Sequence, residues 1–156
     1  MIDLPTTVRT ISRSEARGWA MGMEELFEVG RHNLRRTGRL KDAAVAVRPG
    51  VDVHLYYGDP YYAASHALIL DAYLPDELPH GALVGLPRRD AMLLHVIRNI
   101  GAAEAIGSML QAIVSMYADG PGSLSANLYW FRHGEFVALP YELDDQVLNL
   151  SPPADF

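Results

Sequence analysis

Arg88 and Arg89 stand side by side between two apolar stretches, and Asp90 follows them directly. Adjacent guanidinium groups at a turn can present planar forks of donors to a carboxylate or a phosphate. The same residues also make an ordinary solvated turn, with Asp90 bonded to the backbone and the arginines in water. A second group is Asp59, Pro60, Tyr61 and Tyr62. Aromatic residues in a loop beside a carboxylate can rim a pocket; equally, they can close a turn and send the tyrosines into a core. The third group is the run Tyr129, Trp130, Phe131. Successive strand residues point to opposite faces, so a sheet covered on one side leaves an aromatic outside as a contact surface. Trp130 is the candidate, unless a second helix or the chain's own arm covers it. The candidate binding residues are therefore Asp59, Tyr61, Arg88, Arg89, Asp90 and Trp130.

Other chemistries find weaker footing. The six histidines, His32, His54, His66, His80, His95 and His133, include no His-x-His or His-x-x-x-His pair. A zinc site needs three or four convergent ligands, and only Asp52, His54 and His95, on neighbouring strands, offer a route to one. Their other reading is as solvent-facing strand positions, and no metal site is expected. No G-x-S-x-G nucleophile elbow is present. Ser65 and His66 are adjacent, so on a helix they point about 100° apart. The chain has neither G-x-G-x-x-G nor G-x-x-x-x-G-K-[ST]. Gly120-Pro121-Gly122 follows a helix rather than opening one, and reads as a turn. These patterns single out no catalytic residue, and no cofactor is expected.

The elements that must hold these residues follow from periodicity. Trp19, Met23, Leu26, Phe27, Gly30 and Leu34 recur at spacings of three and four, predicting a helix over 23–36 that ends at Gly38. Its glutamates lie toward the start and its arginines toward the end, complementing the helix dipole. Ser14 is read as the cap of a short helical turn before it. Residues 43–48 and 51–57 read as strands around Pro49-Gly50, the second with strict alternation. Residues 61–73 read as a helix, with Tyr62, His66, Ile69 and Tyr73 on one spacing, or as a turn followed by a strand. Residues 81–86 and 91–97 form a hairpin around residues 87–90. A long helix over 101–118 has bulky residues around most of its circumference, predicting cover on two sides, with Ala102, Ala103, Gly107 and Ala112 as smooth patches. Residues 125–132 and 135–139 form the last hairpin, around His133-Gly134.

Composition bounds the function. The 156 residues are 49% apolar and 21% charged, with net charge −6 and no cysteine. A chain of about 150 residues buries roughly 70% of its unfolded surface and needs no staple. Absent cysteine removes disulfides, thiolate metal sites and Cys nucleophiles together. The one basic cluster, Arg31, Arg35, Arg36, Arg39 and Lys41, is too small to offset the acidic total, so nucleic acid is not the expected partner. The most apolar stretch, 100–117, carries Glu104, Ser108, Gln111 and Ser115 and suits a buried helix, not a membrane span. Met1 to Thr10 lacks the pattern of a signal peptide.

Four stretches in order, MEELFEVGRHNLRR (23–36), VHLYYGDP (53–60), ALVGLPRRD (82–90) and LSANLYW (124–130), the last followed by the turn at His133-Gly134, resemble bacterial proteins of the YtpQ type and their shorter actinobacterial relatives. Gly85 and Arg88 depart from that pattern. The resemblance spans roughly residues 14–140. It implies an α+β fold and a cytoplasmic, bacterial setting; the family carries no assigned activity, so no site transfers.

These readings predict a single α+β domain over 13–150, flanked by an irregular arm over 1–12 and a tail over 151–156. Its mostly antiparallel sheet of five or six strands is built from hairpins and packed on one face against two or three helices. The leading expectation for function is a non-enzymatic binding or protein-interaction module, whose partner is another protein or a second copy. The alternatives are a small hydrolase or phosphate-ester enzyme, with Arg88 and Arg89 holding an anion and His54, His95 or Asp59 as base, and an inhibitor or immunity protein with an acidic face of Asp71, Asp76, Glu77, Glu142, Asp144 and Asp145.

Overall fold

A computed structural model describes the backbone of all residues except 1, 5, 6, 10, 145, 146 and 155, and the side chains of all but these and residues 2–4, 7, 8, 143, 144, 147 and 148. The chain divides into two compact units, Met1–Gly38 and Arg39–Phe156.

In the first unit, β1 (Ile2–Leu4) pairs antiparallel with β2 (Thr7–Arg9). The stretch expected as an irregular arm is therefore a short hairpin, because Ile2-Asp3-Leu4 and Thr7-Val8-Arg9 can exchange ladder bonds on either side of Pro5. A one-turn helix, α1 (Arg13–Arg17), follows. Its cap is Ser12, not Ser14: the Ser12 hydroxyl accepts from the Glu15 N–H at 3.2 Å, and the Glu15 carboxylate accepts from the Ser12 N–H at 3.1 Å. This reciprocal pair satisfies two otherwise orphaned donors. Helix α2 (Met23–Thr37) spans the expected residues, with Glu24 and Glu25 in its first turn and Arg35 and Arg36 in its last.

The second unit is built on a six-stranded, wholly antiparallel sheet. Its strands are β3 (Lys41–Arg48), β4 (Val51–Tyr57), β5 (Ala82–Arg88), β6 (Ala91–Val96), β7 (Leu128–Arg132) and β8 (Glu135–Leu139), in the order β3-β4-β6-β5-β7-β8. Three hairpins supply all six strands, as the turn signals predict. The β7–β8 connection is a two-residue turn with His133 at φ 52°. A second, two-stranded sheet of β9 (Tyr141–Asp144) and β10 (Val147–Leu150) was not foreseen. Its acidic and amide residues mask the short apolar alternation of Tyr141 with Leu143 and of Leu148 with Leu150.

Both faces of the large sheet are covered, not one. Helix α3 (Ala102–Ala118) lies across the first face, where Val51, Val53, Leu83, Leu93, Leu128 and Trp130 meet Ala105, Ile106, Met109, Leu110 and Ile113. On the opposite face Tyr56, Val84, Met92 and Leu94 pack with Ala67, Leu70 and Tyr73. The central strands β5 and β6 read ALVGLPR and AMLLHV, nearly continuous apolar runs without alternation, which is what burial on two faces requires. Gly85 lies beneath α3: a Cβ there would come within 2.7 Å of Ile113 Cδ1, so its absence sets the close approach of helix to sheet.

Two expectations are corrected here. Residues 61–73 are neither α-helix nor strand but a tight 3₁₀ segment (Ala64–Ala72), broken at Ile69 where φ is −128° and ψ 41°. Its apolar residues are drawn to the sheet, and a break lets Ile69 and Leu70 both be buried. Helix α3 is covered on one stripe only, Ala102, Ala105, Ile106, Met109, Leu110 and Ile113, while Val114 and Tyr117 are exposed. It is an outer layer. Among the described residues no helix is long and apolar enough to cross a membrane.

Candidate functional site

Folding brings five of the six sequence candidates together at one end of the sheet. Asp59 accepts the backbone N–H groups of Tyr61 and Tyr62 on Oδ1, both at 2.8 Å, and so caps the turn that enters the 3₁₀ segment. Arg88 makes a two-pronged pair with Asp90, Nε to Oδ1 at 3.0 Å and Nη2 to Oδ2 at 2.9 Å. The Arg89 guanidinium lies 5.1 Å from the Tyr61 ring centroid, a cation–π contact. The Arg89 backbone is held at both ends: its N–H donates to the Gly122 carbonyl and its carbonyl accepts from the Ala64 N–H. These residues thus knit the β5–β6 tip, the loop after β4 and the loop after α3 into one corner. The forks available to an anion are turned to internal partners: Arg88 to Asp90, Arg89 to an aromatic face.

The sixth candidate, Trp130, stands toward the other end of β5, where its register partner Leu83 lies five strand steps, or about 17 Å, from Arg88. Trp130 is buried, and its Nε1–H donates to the His80 carbonyl at 2.9 Å. It is not an outward contact residue. With both sheet faces covered, Trp130 enters the α3 layer while Tyr129 and Phe131 pack with the opposite cluster. Close to it Gly81 holds φ at +78°, and a Cβ there would lie 2.7 Å from Trp130 Nε1 and 2.4 Å from the Phe131 carbonyl oxygen. Only glycine permits this seat for the indole.

Trp130 lines a cavity of about 540 Å³ where α3 begins. The walls are Ile97, Ile100, Ala102, Ala103, Ile106, Leu150 and Phe156, and the polar groups are His80, Asn99 and Arg132. Two of these residues pack against the indole. The Arg132 guanidinium carbon lies 5.1 Å from its ring centroid. The Phe156 ring stands edge-on to it, centroids 5.1 Å apart at 85°. The first turn of α3 is closed by Asn99, whose Oδ1 accepts the Gly101 N–H at 2.8 Å and whose carbonyl accepts the Ala102 N–H. The donors of that turn are therefore already taken up within the chain.

No protein-family model matches the chain, and neither the curated proteins nor the solved structures include a significant match. The site's own geometry must carry the functional reading.

The histidines do not converge. On β4, Asp52, His54 and Tyr56 alternate with Val51 and Val53, which belong to the α3 face; on β6, His95 shares that α3 face with Leu93. His54 and His95 therefore point to opposite sides of the sheet. His54 Nδ1 meets both Asp42 carboxylate oxygens at 3.0 Å, and His95 Nδ1 donates to the Asp52 carbonyl at 2.9 Å. Among the described residues, no three histidine, aspartate or glutamate side chains gather as a metal site would require. Of the acidic residues expected on one face, Asp71 lies in the 3₁₀ segment and Glu142 on a hairpin whose Tyr141 and Leu150 pack with the α3 cluster. The Asp144 side chain and Asp145 lie outside the described residues.

A polar cluster that sequence reasoning did not pick out lies on the 3₁₀ face. The Tyr73 hydroxyl shares a hydrogen bond of 2.6 Å with Nδ1 of buried His66 and accepts the Leu40 N–H at 3.2 Å. Tyr56 stands edge-on to Tyr73, and the Arg39 guanidinium lies 5.2 Å from the Tyr73 centroid. Burial holds His66 below the ordinary histidine range against the opposing pull of the Asp59 carboxylate, so the imidazole is neutral. Burial pushes both phenols up, Tyr56 with a further contribution from Asp42. Together these groups fasten the 3₁₀ segment and the Arg39–Leu40 stretch to the sheet. The signal was present in part: His66 and Tyr73 share the helical spacing noted for 61–73, but nothing local shows that both are buried.

Proposed function

We propose that the protein is a non-enzymatic binding module whose ligand site is the cavity at the start of α3. The observation that carries this reading is the cavity itself: about 540 Å³, walled by aliphatic and aromatic side chains with Arg132, His80 and Asn99 at its margin. Small-molecule sites have this size and this balance of apolar wall to few polar groups. The remaining reactive side chains support the same reading, because Arg88, His54, His66 and His95 each have an internal bond that serves the fold. A bacterial, cytoplasmic setting belongs to the same proposal and rests on the sequence resemblance and the absence of cysteine.

The test is titration with 1-anilinonaphthalene-8-sulfonate, an apolar fluorophore with one anionic group. The folded protein should bind one equivalent saturably, and Ala103→Trp, which fills the cavity from an exposed lining position, should abolish the signal with an unchanged far-UV spectrum. Saturable binding that survives this substitution would place the ligand elsewhere and defeat the proposal.

A second reading, association with a second copy, is favoured by the outer edge of β8. Strand β8 ends the six-stranded order, and Phe136 and Val137 are exposed along it.

A further inference from the structure

Ile100 is 89% exposed, although it is apolar and lines the cavity at the start of α3. The turn fixes its place: the Ile100 carbonyl accepts the Ala103 N–H at 3.2 Å, and Asn99 Oδ1 accepts the Gly101 N–H at 2.8 Å. A single exposed isoleucine is ordinary on a protein surface. This one continues a wall, running from buried Ile97 and Ile106 through half-buried Leu150 out to solvent. The contact offered to an occupant is aliphatic along that whole line. Trp130 adds little to it, being 4% exposed with the Arg132 guanidinium over its ring and the Phe156 ring edge-on.

The polar atoms around the cavity are committed to the fold. The N–H groups of Ala102, Ala103, Glu104 and Ala105 donate to carbonyls of residues 99–101. The His80 carbonyl accepts the indole N–H, and Arg132 is engaged within the chain. His80 is itself exposed, so a contact with its ring competes with water. A charged or polar head therefore gains little by entering, and in an open cavity it keeps its hydration at the mouth.

We infer that the cavity takes a single unbranched alkyl chain, that it reads the length of that chain and not its head group, and that Ile100 is the mouth residue the chain covers. The inference rests on the cavity being the ligand site. Each methylene moved from water onto this wall is worth about a fourfold gain in affinity. Covering Ile100 is worth about tenfold, since an isoleucine side chain buried by the ligand leaves water as well.

The experiment is calorimetric titration of the full chain at pH 7 with hexanoate, octanoate and decanoate, and with 1-octanol and n-octylammonium beside octanoate. The same series is run on Ile100→Ser and Ala103→Trp. The expected result is affinity rising about fourfold per added methylene, with the three eight-carbon compounds agreeing within about threefold. Ile100→Ser should bind each about tenfold more weakly at an unchanged urea midpoint, and Ala103→Trp should bind none. Affinity that is flat with chain length, or that differs more than tenfold between heads, would overturn the ligand class and leave the cavity as the site. So would failure of every alkyl compound to bind while anilinonaphthalene sulfonate still responds to Ala103→Trp. Equal affinities in the native and Ile100→Ser proteins would overturn the role of Ile100. Alkyl binding that survives Ala103→Trp, or no alkyl binding together with fluorophore binding that ignores that substitution, would overturn the cavity reading and this inference with it.

Discussion

His66 is 1% exposed and bonded through Nδ1 to the Tyr73 hydroxyl, and its pKa is lowered chiefly because burial strips water from the imidazolium. In the unfolded chain the same side chain titrates near 6.5. Above that pH the imidazole is neutral in both states and the native contribution is complete. As the pH falls below it the unfolded chain takes up the proton first, and stability declines until the pH passes the lower, folded value. One proton limits the slope to about 1.4 kcal/mol per pH unit. His66→Asn keeps an acceptor for Tyr73 and removes the titration. Urea midpoints of the two proteins should therefore converge from pH 7 to pH 5, the native protein losing more. Parallel curves would show that His66 takes up its proton equally in both states.

The elements differ in how they treat their edges. Strand β3 carries Lys41, Asp42 and Arg48 and a break in register between Ala46 and Arg48, devices that discourage pairing with another chain. Strand β8, with Glu135 as its lone charge, has none beyond its brevity and the following Pro140. A two-fold antiparallel pairing centred on Val137 would set Glu135 opposite Leu139 and Phe136 opposite Ala138, with no like charges facing each other. Light scattering should accordingly show a concentration-dependent dimer, and Val137→Lys, which puts two cations face to face at the axis, should leave a monomer. A native protein that stays monomeric at every concentration would remove this edge as an interface. Hairpin strands were legible because Pro49-Gly50 and His133-Gly134 mark turns and because alternation is strict in Val51–Tyr57. The 64–72 stretch was not, since its apolar residues fit two periodicities and only contact with the sheet chose a third, tighter one.

Across the whole molecule, burial is unequally shared. Both core clusters draw only on residues from Leu40 onward, so the second unit contains its own core. A chain of residues 39–156 should therefore fold alone, with a cooperative melt within about 5 °C of the full protein's, read by circular dichroism. A broad, non-cooperative melt would mean that residues 1–38 complete that core. The charge is divided as well: residues 1–38 hold five acidic residues and six arginines, so the acidic surplus belongs to the second unit.

By itself the sequence determined the antiparallel hairpins, the two long helices and the α+β class, because turn residues and the periods of apolar residues act over neighbours in the chain. It also marked Asp59, Tyr61 and residues 88–90 as a polar, aromatic pair of turns. Only the tertiary structure decided that these turns lock onto each other, that Trp130 faces inward, and that Ile97, Ala103, Arg132 and Phe156 line one open cavity. Those residues are brought together by strand order and by which face of the sheet α3 covers, and packing of that range leaves no periodic trace in the chain.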